Sequence, residues 1–249
     1  MNHDAVINPG RGKKSPKLRT AVMIATAEDF EALTSEIGAE RSSTAPLLMS
    51  RLCLPEGGKP ALVGPMVGAP YAVILLENLI AWGARNILFF GWCGSLCPRL
   101  GIGDILLPDA AFIDEGTSLH YGGNPATAER PSASLARTVR DALSEAAVPF
   151  QEGGVWTTDA VFRETAAKVT GFRQRGALAV EMETSALFAV GRYRKAEVGA
   201  VLAVSDDLST LKWRPGFRDE RLKAARRKIR EAIPDICRRL EGGENDIPR

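Results

Sequence analysis

Short apolar runs rich in β-branched residues alternate along the chain with longer segments whose apolar positions recur every three or four residues. Residues 20–26 (TAVMIAT) read as a strand and 28–37 as a helix. Residues 60–64 (PALVG) give a second strand. Beyond Gly68, Pro70 at a first helical position opens a long helix to Trp82, which Gly83 ends. Residues 86–91 (NILFFG) form a buried strand running into the turn Gly91-Trp92-Cys93-Gly94. Residues 104–114 hold a strand pair or one bent strand, interrupted by Pro108. A helix over 132–146, a strand over 154–158, a helix over 163–173, a strand over 178–181 (LAVE), a helix to about Arg194 and a strand over 198–205 (VGAVLAVS) follow. The last helix begins near Arg218 and lines up Leu222, Ala225, Ile229, Ile233, Ile236 and Leu240 on one side. Its Arg and Lys residues lie mostly opposite, as a solvated face, and Pro234 is expected to kink or split it.

Strands alternating with helices predict an α/β protein, a single-domain three-layer sandwich with a mixed, largely parallel central sheet flanked by helices. No repeat or linker divides residues 20–240; residues 1–19 read as a flexible basic arm and 241–249 as a polar tail. Composition narrows the function classes. Hydrophobic residues at 45% and a formal net charge of +2 exclude a disordered chain. The balance of 32 Lys+Arg against 30 Asp+Glu is too even for a dedicated nucleic-acid binder. The longest apolar stretch, around residues 69–82, contains Glu77 and Asn78, so no membrane span is expected. Cys53, Cys93, Cys97 and Cys237 form no CxxC pair and His3 and His120 lie far apart, which predicts no metal site and a reduced, cytoplasmic setting. The first residues lack the apolar core of a secretory signal.

In open α/β sheets ligands gather at the carboxyl ends of strands. Four strand ends here carry unusual residues: Gly91-Trp92-Cys93-Gly94; Thr158-Asp159 with Phe162 and Arg163 beyond; Glu181-Met182-Glu183; and Ser205-Asp206-Asp207. Gly-Trp-Cys-Gly does not match a dinucleotide fingerprint, although its glycines permit close approach to a flat ligand. Acids directly after an apolar strand are costly to bury unless paired or bound to something.

Val180-Glu181-Met182-Glu183, followed by a strand ending in Ser205-Asp206, resembles the hallmark pair of the nucleoside phosphorylase superfamily, which includes purine nucleoside and uridine phosphorylases and related nucleosidases. Residues 64–70 (GPMVGAP), Gly91–Gly94, Gly101-x-Gly103-Asp104 and 114–121 (DEGTSLHY) extend the resemblance over roughly residues 20–240, and identify the chain as an atypical member. The resemblance implies cleavage of the bond between ribose and base, with no cofactor and with phosphate as co-substrate in the phosphorylases. Glu183 would accept the 2′ and 3′ hydroxyls, with Met182 beside the sugar, because charge-assisted bonds grip hydroxyls and a negative charge favours a cationic ribosyl group. Asp206 would protonate or hydrogen-bond purine N7, a task that needs a carboxyl whose pKa is raised by burial. Cys93, Gly94, Phe162, Arg163 and Glu181 would border the base, and Arg214 or Arg218 would support Asp206. Ser205-Asp206 is similar to the purine members and residues 114–121 to the pyrimidine members; the direct chemical role of the acid favours a purine. A homo-oligomer, a dimer or a hexamer, is implied as well, with His3 or His120 as the histidine that reaches a partner's ribose 5′-hydroxyl and Arg51 as an arginine that reaches a neighbouring subunit's phosphate site.

The departure lies at the phosphate site. The family's first loop reads like Pro-Gly-Asp-Pro with an Arg after it; here it is Ala25-Thr26-Ala27-Glu28-Asp29-Phe30. Phe89 stands where the family places an Arg, and Trp92 where it places a hydroxyl residue. Losing two charge-assisted partners at about 1.5–3 kcal/mol each weakens phosphate binding by orders of magnitude. Three readings follow. Phosphorolysis of a purine-type nucleoside is the first. Hydrolysis with Glu28 or Asp29 activating water is the second, and a protein that binds nucleoside or base without turnover is the third.

Overall fold

The computed structural model describes residues 5–10, 15–39, 43–57 and 59–242, so His3 and the tail beyond Gly242 lie outside the described residues. The elements run in the order β1 (Thr20–Ile24), α1 (Ala27–Glu36), β2 (Thr44–Leu47), β3 (Ser50–Cys53), β4 (Ala61–Gly64), α2 (Ala69–Ala81), β5 (Asn86–Ser95) and β6 (Ile105–Asp114). They continue through β7 (Ala128–Glu129), α3 (Ala133–Glu145), β8 (Gln151–Thr158), α4 (Ala166–Gln174), β9 (Ala177–Glu181), α5 (Thr184–Arg194), β10 (Glu197–Asp207), β11 (Arg214–Pro215) and α6 (Glu220–Gly242).

Along β1, Ala21 and Met23 point into one apolar cluster and Val22 and Ile24 into another, as alternation on a pleated strand requires. Helices α2 and α5 cover the first face; α1, α3 and α6 cover the second. This is the expected three-layer α/β arrangement. The sheet is mixed: β1 pairs in parallel with β4 and β5, whereas β3 runs antiparallel to β4. One feature of the topology is absent from the sequence pattern. β10 bonds to β5 on one edge and to β6 on the other, and the path β6–β8–β9–β5 returns to it, so five strands close into a ring.

Several expected elements change in detail. The turn expected at Gly91–Gly94 is instead strand: β5 continues to Ser95 because β10 pairs it along its whole length. Residues 105–114 form one bent strand, whose register against β8 shifts between Pro108 and Ala110. The hairpin β2–β3 is additional, and extends the sheet beyond β4. Pro234 does not split α6, which runs unbroken from Glu220 to Gly242. In the expected basic arm, Gly10 accepts the indole N–H of Trp82 at 3.0 Å.

Two arginines of α6 depart from the solvated face expected for them. Arg226 is buried at 2% exposure, and its Nε donates to Asp29 Oδ1 at 2.9 Å; Arg230 Nη1 reaches the same oxygen at 2.9 Å. They lie four residues apart, one turn of the helix, and so converge on one acceptor. Asp29 is the third residue of α1, where its backbone N–H is capped by Thr26 and the Thr26 hydroxyl donates to Oδ2 at 2.8 Å. The first and last helices are therefore joined through a buried charge cluster. Asp29→Asn is expected to lower unfolding stability by about 3–5 kcal/mol, because it removes the buried charge shared by Arg226 and Arg230 and leaves them only the more exposed Glu28 and Glu36. Urea unfolding followed by circular dichroism measures this.

Candidate active site

The site forms where β5 is paired on both edges. Gly94 is the register partner of Val180 on antiparallel β9 and of Asp206 on parallel β10. A Cβ on Gly94 would come within 3.0 Å of Asp206 Oδ2 and 2.8 Å of Leu208 Cδ1, so only glycine leaves this point open. Between Val204 and Asp206 the β10 ladder slips by one residue, with Ser205 as the extra residue. Such a bulge re-aims the following side chain. Ser205 Oγ lies 3.2 Å from the Cys93 carbonyl and 2.7 Å from Asp206 Oδ1, and the Trp213 indole N–H donates to Asp206 Oδ2 at 2.9 Å. Neither Arg214 nor Arg218 fills the supporting role expected for them: Arg214 pairs instead with Asp207 at 2.9 Å, and Trp213 takes its place at Asp206.

A cavity of about 380 Å³ opens at this junction. Cys93, Gly94, Val180, Glu181, Met182, Ser205 and Asp206 wall it from the three strand ends. Val161, Phe162 and Glu164 close it from the segment before α4, and Leu208, Trp213 and Phe217 from the loop after β10. Phe162 is 97% exposed and Trp213 61%, which leaves an aromatic rim with free faces. Of the residues expected around a base, Cys93, Gly94, Phe162 and Glu181 line this space, as do Met182 and Asp206; Arg163 is exposed and outside the walls. Glu164, Trp213 and Phe217 were not anticipated. The aromatic pair in the loop 212–217 (KWRPGF) was the only available signal, since a Glu ahead of a helix looks like an ordinary first-turn charge.

The acids differ in their surroundings. Glu181 is buried, accepts the Thr157 hydroxyl at 2.5 Å and caps α5 by accepting the Glu183 and Thr184 N–H groups at 2.7 Å each. Burial pushes its pKa up despite these bonds. Glu183, expected at the ribose, is buried and is not part of the cavity wall; its carboxyl accepts the Gly68 N–H at 2.5 Å and so joins the loop 64–70 to the start of α5. Burial first, and the neighbouring Glu181 second, raise its pKa to about 8. Glu164 is raised to about 7 by burial and by Asp206. The Cys93 thiol is held well above its usual range by burial, then by Asp206 and Glu181, and stays neutral.

The residues standing in the family's phosphate positions close on one another. Phe89 is buried in the core. The Trp92 indole N–H donates to Asp29 Oδ2 at 3.0 Å, and the Arg226 guanidinium sits over the Trp92 ring at 4.8 Å. Glu28, largely exposed, pairs with Arg226 at 3.0 Å. Both acids considered for water activation are thus tied to arginines of α6, and neither is part of the cavity wall. Arg51 pairs with Glu31 at 2.9 Å, and His120 is exposed on a short 3₁₀ turn away from the walls. Among the described residues no cluster of His, Cys, Asp and Glu is arranged to hold a metal ion, and no helix is long and apolar enough to cross a membrane.

A family model described as the phosphorylase superfamily matches residues 19–240. The chain belongs to this superfamily. Among curated relatives, the DeoD-type purine nucleoside phosphorylase of Caldanaerobacter subterraneus is 28% identical over 156 residues, which cover 62% of this chain and 67% of the relative. That of Alkaliphilus metalliredigens is 29% identical over 157 residues, with the same coverage. The superfamily fold is equally clear in solved structures. An AMP nucleosidase from Bacteroides thetaiotaomicron superposes with a TM-score of 0.74 at 24% identity over 91% of each chain. A purine nucleoside phosphorylase from Toxoplasma gondii, in complex with immucillin-H, gives 0.73 at 18% identity over 90% of this chain and 93% of that one. In this member of the superfamily the acidic strand ends Glu181 and Asp206 line one cavity, and Asp29, Arg226 and Arg230 form an internal ion cluster outside its walls.

The raised pKa of Glu183 has a consequence for stability. Its folded value of about 8 lies above the unfolded glutamate value, so the folded state retains a proton that the unfolded state releases. This contribution is fully present below the unfolded pKa and is lost as pH rises through about 8. Wild-type stability is expected to fall across that window, and Glu183→Gln to flatten the decline. Denaturant midpoints measured at a series of pH values read the difference.

Proposed function

We propose that the chain cleaves the N-glycosidic bond of a purine-type nucleoside with water rather than phosphate. The observation that supports this most is the make-up of the cavity wall: the acids Glu164, Glu181 and Asp206 line it, and no Lys or Arg does. A phosphate there meets no counter-charge, and any one of these acids that ionises about 4 Å from it opposes it by about 4 kcal/mol at an effective dielectric of about 20, roughly three orders of magnitude in affinity. A single ionised acid of the wall also stabilises the positive charge that grows on the ribosyl ring as the base departs. Arg226 and Arg230 of α6 are already paired within the protein, both with Asp29, Arg226 also with Glu28 and Arg230 with Glu36.

In this reading the base lies against Gly94, with Phe162 on its face and the Asp206 end of the cavity supplying hydrogen bonds to its ring edge. Met182 packs beside the sugar, and Glu183 receives the ribose hydroxyls from behind it. The C1′–N bond breaks with its electron pair going to the base, and water adds to the oxocarbenium-like C1′. The proton that it sheds ends on the departing base through solvent, so no dedicated base is needed; this agrees with Glu28 and Asp29 both being paired away from the cavity. The curated relatives named purine nucleoside phosphorylase favour the same bond and a purine, and keep phosphorolysis as the competing route.

Purine nucleosides incubated with the protein are expected to release free base at the same rate with and without inorganic phosphate, and to yield free ribose. Release that requires phosphate and gives ribose 1-phosphate would overturn the hydrolytic reading, and absence of release with retained base binding would leave a binding protein. Asp206→Asn is expected to lower kcat/KM about 10²-fold for purine nucleosides, through loss of a carboxyl hydrogen bond to the ring edge. An unchanged value would remove Asp206 from the chemistry.

A further inference from the structure

We propose that Glu164 is a second base-reading acid, and that it and Asp206 recognise the N7 and 6-substituent edge of a 6-amino purine as one donor and one acceptor. The inference rests on the nucleoside reading above and specifies its substrate class. Glu164 follows the 3₁₀ turn Val161–Arg163 and precedes Thr165, whose side chain caps α4 by accepting the Lys168 N–H at 3.3 Å. Its backbone is thereby fixed at the cavity wall. Among the described residues no hydrogen bond or ion pair holds its carboxyl.

The cations of the neighbouring helix are engaged elsewhere. Lys168 pairs with Asp114 at 2.7 Å, and Arg173 donates to the carbonyls of Leu208 and Ser209. Arg163, next in the chain, is exposed and outside the walls. Across the cavity Glu164 faces Asp206 from β10, Glu181 from β9 and the neutral thiol of Cys93 from β5. It therefore meets acids without a compensating cation, and holds its proton up to about pH 7. Asp206 already has Trp213 and Ser205 at its two oxygens, and each carboxylate oxygen has a second lone pair for a ligand. Below about pH 7 the pair thus offers a donor on Glu164 and an acceptor on Asp206.

That pattern matches one kind of purine edge. Adenine presents an acceptor at N7 beside a donor at its 6-amino group, whereas a 6-oxo purine presents two acceptors. A 6-oxo purine would place its O6 against the Asp206 carboxylate, and a polar site left mispaired in this way rejects its ligand strongly. Above about pH 7 the proton leaves Glu164, which becomes an acceptor, and N7 loses its donor.

Calorimetric titration of the full chain with the free bases adenine and hypoxanthine tests this without relying on turnover. Wild type is expected to bind adenine about tenfold more tightly at about pH 6 than at about pH 8, and at the lower pH to bind hypoxanthine at least about tenfold more weakly than adenine. Glu164→Gln supplies an amide donor that does not titrate, so its adenine affinity is expected to stay within about twofold between the same two pH values. Glu164→Ala is expected to lose about tenfold at the lower pH and become equally flat. Equal affinity for the two bases at the lower pH, or the wild-type pH dependence persisting in both variants, overturns the proposal. Binding of neither base overturns it together with the nucleoside reading. Selective adenine binding without cleavage of any nucleoside sustains it and overturns only the catalytic reading.

Discussion

The organisation of this molecule depends on one crowded point in its sheet, where β5 is hydrogen-bonded along both edges and carries a residue without a side chain. Gly94 sits opposite Val180 and Asp206 at once, so the ends of three strands meet with nothing between them but space. Any β-carbon there would press on the Asp206 carboxyl. Two strands ending in acids would otherwise have separate uses as helix caps or surface charges. Their convergence needs both the ring closure that brings β10 against β5 and the missing side chain that keeps the junction open.

The second constraint is charge burial. Asp29, Arg226 and Arg230 form a desolvated cluster whose net contribution to stability is small or even unfavourable compared with an apolar core, because desolvation offsets the attraction. What the cluster does provide is geometry. It fixes α1 against α6, orients the Trp92 ring through its N–H, and uses arginines of α6 that could otherwise attract an anion. The acid expected to activate water thereby has a different occupation, as the anion that satisfies the chain's own cations.

Much of the framework was legible in the sequence because periodicity reports which face of an element is buried. The alternation of β1, the long apolar α2 and the stripe along α6 all follow from it. That Glu181, Met182 and Asp206 share one cavity was legible for a different reason: acids that end apolar strands demand an explanation. The rest depended on information no local window contains. Arg226 and Arg230 carry the spacing of an exposed basic face, and only the arrival of Asp29 from the far end of the chain draws them inward. Glu164 has the sequence appearance of a helix-leading charge, and its meaning comes from Asp206, which lies about 40 residues later. The turn read into Gly91–Gly94 is a strand because β10 lies alongside, a pairing across more than 100 residues.

The extra residue in β10 gives the site an unusual evolutionary vulnerability. Asp206 faces the cavity because Ser205 interrupts a ladder that is regular up to Val204. Loss of a single codon there would restore an even pleat with the acid still opposite Gly94, remove the local bend that aims its carboxyl, and leave both apolar clusters untouched. A change in strand length, with no change in composition, is thus enough to re-aim an acid at this wall while the surrounding layers stay in place.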